Sequence, residues 1–207
     1  MSKRPKVELA ALEARLGYIF KDADLAARAL THVSAPSTSG SGRHQSYQRL
    51  EFLGDRVLGL VVAAMLYEAF PTAPEGELSM RLAKLVRRET CASVAEEWDV
   101  GPHLVMGLGE ARAGGRKKAA ILSDICESLI GAVFLDADFE TARALVERGW
   151  RARMSAELSP ERDAKTAAQE WAQGRALAAP RYVEVSRSGP AHSPVFIIQI
   201  ELDGFTP

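Results

Sequence analysis

The sequence predicts a mainly α protein: an all-helical domain over residues 1–155, a linker at 156–162 and a small, incomplete α-β-β unit at 163–207. Three observations carry this. Apolar residues recur at three- and four-residue spacing through the first three quarters of the chain, the period of amphipathic helices. The character then changes at "ELSPERDAK", which is polar and contains proline. Beyond it, "PRYVEVSR" and "PVFIIQIEL" are rich in β-branched and aromatic residues and are joined by the turn-forming "SGPAHS".

The elements follow in order. Val7 to Leu16 reads as a short helix stopped by Gly17, and Asp22 as the N-cap of the next, "DADLAARALTH". "SAPSTSGSGRHQ" is a loop. A long helix is expected from Gln45 to Ala69, ending before Pro71, and "TAPEG" is a turn. One helical pattern covers Glu75 to Trp98, and "DVGPHLVMGLGEARAGGRKK" is Gly-rich and irregular. Two further helices span Ala119 to Leu135 and Asp138 to Met154, and a last one runs from Lys165 to Arg175. No internal repeat is present.

The bulk numbers exclude several classes. With 47% apolar residues in 207, the chain can build a sizeable core. A net charge of -1 points to no partner, so any nucleic-acid contact must rest on local patches. Cys91 and Cys126 both lie in apolar helical contexts and suggest buried thiols in a reducing compartment. The charged N-terminus does not resemble a signal peptide, and no run reaches the ~20 apolar residues of a membrane span. A soluble cytoplasmic protein with no membrane partner and no small-molecule cofactor is expected.

The informative stretch is "YQRLEFLGDRVLGLVV". Glu51 and Asp55 share one helical face there, roughly 5–6 Å apart at Cβ, among Leu50, Leu53, Leu58 and Val61. A second pair, Asp124 and Glu127, sits at i, i+3 in "ILSDICESLIGAVFLD", the most apolar helix of the chain. Converging like charges among apolar neighbours need neutralisation. A hard divalent ion such as Mg²⁺ suits carboxylate oxygens on rigid helices. A solvated helix face would show the same spacing, and from spacing alone both readings stand.

The motifs themselves resemble those of bacterial ribonuclease III. "QRLEFLGDRVL" is similar to the family signature N-E-R-L-E-F-L-G-D-x-V-L, and "SDICESLIGAVFLD" to D-x-x-E-A-L-I-G-A-x-x-L-D. "LGYIFKDADLAARALTH" and "EGELSMRLAKLV" fit the remaining blocks in order, so the resemblance spans nearly the whole chain. It implies an all-helical endonuclease domain that dimerises, with Phe52 entering a socket on the partner; a plain core Phe is the alternative. It also implies metal-binding roles for Glu51, Asp55, Asp124 and Glu127, of which Asp55 and Glu127 are catalytic, and for Glu75 nearby. The ion would be Mg²⁺, with Mn²⁺ as a substitute. Tyr47 and Gln48 replace the usual Asn and Glu, and Val33 stands where the family carries Arg. Gln48 cannot supply a negative charge and is at most a substrate contact.

What the resemblance implies chemically is hydrolysis of double-stranded RNA by staggered cuts, leaving 5′-phosphate and 3′-hydroxyl ends, in maturation of ribosomal and messenger RNA. Two metals about 3.5–4 Å apart suit such an in-line displacement. The scattered histidines receive no catalytic role, and His32 is read as orienting a helix end. Arg81, Lys84, Arg87 and Arg88 recur along one helical face that could meet phosphates or only solvent. Arg116 to Lys118 form a second basic candidate. The C-terminal unit resembles a truncated double-stranded-RNA-binding domain, in which Gln169 and Glu170 would reach 2′-hydroxyls and His192 would enter the minor groove. From Trp150 onward seven Lys plus Arg meet seven Asp plus Glu, so that unit is neutral, and its incomplete sheet should expose an apolar face. The competing reading is a non-catalytic RNA-binding dimer of the same fold. An HD-type metallophosphohydrolase is disfavoured because no His-Asp dipeptide occurs.

Overall fold

The structure, a computed structural model, describes residues 9–36, 46–156, 164–175, 177–189, 195–202 and 204–205. The chain divides into two compact units, Met1–Glu157 and Leu158–Pro207. Eight described helices form the first: α1 (Ala10–Leu16), α2 (Ala23–Ala29), α3 (Gln48–Ala69), α4 (Glu75–Leu85), α5 (Arg88–Glu97), α6 (Leu108–Arg112), α7 (Ala119–Asp136) and α8 (Phe139–Ala156). The second holds α9 (Ala164–Gln173), β1 (Arg181–Ser188) and β2 (Val195–Glu201). A mainly α chain with a small C-terminal α-β-β unit is therefore what the structure contains. No helix among the described residues is long and apolar enough to cross a membrane.

Helix α7 is apolar nearly all round and takes the central place such a helix requires. It packs against α2, α3, α5 and α8, burying Ile125, Cys126, Leu129, Ile130 and Val133. Both cysteines are buried and free. At its C-terminal end, Asp136 accepts from Tyr18 Oη at 2.6 Å and from the backbone N–H groups of Lys21 and Asp22 at 2.7 and 2.9 Å. That carboxylate pins the α1–α2 connection to the core. Gly17 ends α1 in the left-handed conformation at φ 61°, and Asp22 caps α2 by accepting from Asp24 N and Leu25 N, both as the sequence predicts.

The helical pattern from Glu75 to Trp98 is not one helix. It breaks at Val86 and Arg87, the latter extended at φ -69° and ψ 159°. No Gly or Pro marks the break. The buried indole N–H of Trp150 on α8 donates to Leu85 O at 2.8 Å, and Thr90 Oγ1 donates to Lys84 O at 2.9 Å. These bonds satisfy carbonyls at the end of α4 that a continuous helix would have used. The Gly-rich segment that follows forms two single 3-10 turns around α6, and its Val105 bridges in parallel to Thr31.

In the second unit β1 and β2 pair antiparallel, with a bulge between Glu184 and Ser186. Val183, Val185, Val195, Phe196, Ile197 and Ile198 are exposed, and because consecutive residues of β2 point to opposite sides, apolar side chains are open on both faces of the sheet rather than one. Trp171 packs edge-on against Phe205, with ring centroids 5.6 Å apart.

Candidate active site

Helices α3 and α7 cross at two glycines. A Cβ added to Gly54 would lie 2.6 Å from the carbonyl carbon of Glu127 and 2.9 Å from Gly131 N; one added to Gly131 would lie 3.0 Å from Gly54 N. The two backbones thus touch with no side chain between them. Glu51 and Asp55 flank Gly54 on α3, while Glu127 and Asp124 lie one and two turns before Gly131 on α7. The crossing brings the two acidic pairs to one place.

Their electrostatics record the convergence. The Glu127 carboxyl is held up at about 7, first by burial, then by the charges of Glu51 and Asp124; the Cys91 thiol and the Arg56 charge work the other way. The Glu51 carboxyl is also held at about 7, by burial and then by the Asp124 charge. Asp55 pairs with the adjacent Arg56 guanidinium, whose charge also reaches Glu127. The charges of Glu51, Asp124 and Glu127 thus reach one another, while Asp55 is tied to Arg56, whose charge also reaches Glu127. Tyr47 Oη donates to Asp124 Oδ2 at 2.8 Å.

Other expected site residues are placed less centrally. Glu75 opens α4, is exposed, and accepts from Ser79 Oγ at 2.9 Å. Gln48 is exposed at the start of α3, one turn before Glu51. Phe52 is 67% exposed, which rules out the plain core reading. It shares a face of α3 with exposed Leu60 and Tyr67. Arg81 corrects the basic-stripe reading: it is 7% exposed, paired with Glu77 at 2.6 Å and set 4.1 Å from the centre of the Phe70 ring. Arg116 donates to the carbonyls of Gly101 and Pro102, and Lys118 pairs with Glu110 at 2.6 Å. In the second unit Gln169 is exposed on α9; the side chain of Glu170, and His192, lie outside the described residues. Tyr47, Arg56 and Cys91 are the site neighbours that spacing did not find.

Among the described residues no group of three or more His, Cys, Asp or Glu side chains is placed, as they stand, to hold a metal ion. Mg²⁺ does not need one, since it keeps several waters and takes one or two carboxylates directly. The donor set fits that ion: hard oxygens on two rigid helices, with two carboxyls lifted by burial and then by neighbouring acidic charge.

Known proteins match this architecture. The family model described as Ribonuclease-III-like matches residues 22–152. Ribonuclease 3 of Azorhizobium caulinodans is 55% identical over 198 residues, 95% of this chain and 83% of that one. The crystal structure of the nuclease domain of ribonuclease III from Campylobacter jejuni superposes with a TM-score of 0.65 at 38% identity, covering 70% of this chain and 95% of that one. A second structure of that domain, described for flexibility in a region involved in dimer formation, gives a TM-score of 0.64 at 38% identity over 70% of this chain and 99% of that one. With its acidic pairs meeting at the α3–α7 crossing, the chain belongs to the ribonuclease III family of endoribonucleases.

Proposed function

We propose that the protein hydrolyses phosphodiester bonds of double-stranded RNA as a Mg²⁺-dependent homodimer in the cytoplasm, leaving 5′-phosphate and 3′-hydroxyl ends. Precursors of ribosomal RNA and some messenger RNAs are its substrates. The observation that carries this reading is the backbone contact of α3 and α7 at Gly54 and Gly131, which sets the helix bearing Glu51 and Asp55 against the helix bearing Asp124 and Glu127.

Glu51, Asp55, Asp124 and Glu127 would hold the divalent ion, with Mn²⁺ as a substitute and Glu75 as an outlying contributor. Bound, the ion supplies a water nucleophilic at neutral pH and offsets charge developing on the departing 3′ oxygen. Glu51 and Glu127 would hold it as carboxylates, so binding would be favoured as pH rises through about 7. The rigid crossing holds the carboxylates in place, so little reorganisation accompanies the reaction. The apolar stripe led by Phe52 supports pairing with a second copy, as does the dimer-forming region of the Campylobacter relative. With Arg81 withdrawn, Lys84, Arg87, Arg88 and Lys117 would supply phosphate contacts in the first unit, where Gln48 is also exposed, and Gln169 would contact RNA in the second unit by itself. The competing reading, a non-catalytic RNA-binding dimer, predicts no cleavage under any condition.

The test is incubation of a long perfect duplex with Mg²⁺ or with EDTA, followed by analysis of the fragment ends. Glu127→Gln should still bind duplex and should not cut it. Normal product formation by that variant overturns the assignment.

A further inference from the structure

We propose that Tyr47 is a positioning residue that fixes the Asp124 carboxylate for the divalent ion, a role that rests on reading the acidic cluster as a metal site. Its phenol O–H donates to Asp124 Oδ2 at 2.8 Å, across 77 residues of sequence. The ring is itself immobilised. It is buried, and its backbone N–H donates to Thr31 O at 3.0 Å. It lies against the His32 imidazole, with centroids 5.7 Å apart and planes tilted by 31°. His32 Nδ1 bonds Ser34 Oγ at 2.8 Å, Gly107 N donates to that same hydroxyl oxygen at 3.0 Å, and His32 N donates to Val105 O at 2.8 Å. A braced strap of residues 31–34 and 105–107 therefore backs the phenol on one side, and Asp124 takes its hydrogen bond on the other.

The bond has a consequence for the cluster. Asp124 sits among Glu51 and Glu127, whose charges repel its own. Without a partner its carboxylate is free to turn, since the terminal torsion of Asp is broad. A phenol locked to Oδ2 removes that freedom and leaves Oδ1 as the oxygen for the ion. Outer partners of metal ligands commonly carry about 10–100-fold in metal affinity.

The experiment is Mn²⁺ binding followed by electron paramagnetic resonance, on wild type, Tyr47→Phe, Asp124→Asn and the double variant, all without RNA. Tyr47→Phe keeps the ring and should weaken Mn²⁺ about tenfold. In the Asp124→Asn background the same change should add nothing, whereas a merely structural tyrosine would weaken binding in both. Wild-type affinity in Tyr47→Phe, with weakened binding in Asp124→Asn, overturns the positioning role and leaves the metal site standing. Unchanged affinity in Asp124→Asn overturns the metal-site reading and this role with it. Should Tyr47→Phe fail to fold, ¹³Cζ labelling of the four tyrosines of wild type is the alternative. One resonance should move with Mg²⁺ in wild type and stay still in Asp124→Asn; no movement overturns the coupling.

Discussion

Replacing Gly54 by alanine is the sharpest test of how this fold makes its site. The new Cβ would sit 2.6 Å from the Glu127 carbonyl carbon and 2.9 Å from Gly131 N. Carbon atoms in comfortable contact are about 3.5–4.0 Å apart. The Glu127 carbonyl oxygen is nearer still, so the helices must part by more than about 1 Å, and no flexible side chain is there to yield instead. Overpacking costs about 1–3 kcal/mol, and a clash of backbone on backbone belongs at the upper end. Alanine returns about 1 kcal/mol of helix propensity over glycine, so the net loss is about 2 kcal/mol. For a domain of this size that lowers the melting temperature by about 4–8 °C. Activity should suffer more, because a 1 Å misplacement of reacting groups can cost about 100-fold. Gly76, with nothing within 4 Å of its added Cβ, is the control, and Gly76→Ala should neither melt earlier nor slow cleavage. Calorimetry and duplex-cleavage rates report both effects. A Gly54→Ala protein that melts and cuts like wild type would refute the claim that contact of these two backbones builds the site.

Two more perturbations follow from the same geometry. Glu51 and Glu127 keep protons up to about 7 when folded, whereas ordinary carboxyls release them near 4.5. The folded state then binds more protons than the unfolded one across that window, so their contribution makes stability fall as pH rises through it and level off above. Urea melts in EDTA should show this fall, Mg²⁺ should reduce it, and Glu127→Gln should have a shallower one; an equal slope in that variant contradicts the assignment. Asp136→Ala removes acceptors for Tyr18 Oη, Lys21 N and Asp22 N and should cost about 1–3 kcal/mol. Hydrogen exchange at Lys21 and Asp22 should quicken, and unchanged protection there would count against the pin.

Much of this was legible because it is local. Helix periodicity, the Gly17 stop and the Asp22 cap depend on residues within a turn or two of each other, and the structure keeps them. Spacing also put Glu51 with Asp55, and Asp124 with Glu127, on common faces. What a face meets is a different matter. The same three- and four-residue rhythm that suggested a basic stripe carries Arg81 inward to Glu77 and Phe70, because a long side chain can fold back over its own helix and bury its charge against a partner one turn away. The break after Leu85 depends on an indole 65 residues later, and the Tyr47 bond on a carboxylate 77 residues away. No window of sequence contains both ends of either. Yet the crossing left one trace. Gly54 and Gly131 each cost their helix about 1 kcal/mol relative to alanine, as does Gly59 on α3, whose added Cβ would meet nothing within 4 Å. At Gly54 and Gly131, unlike Gly59, that cost goes with an approach closer than a Cβ permits. Here the thing that comes close is the other glycine-bearing helix, and what it carries within reach is the second pair of acids.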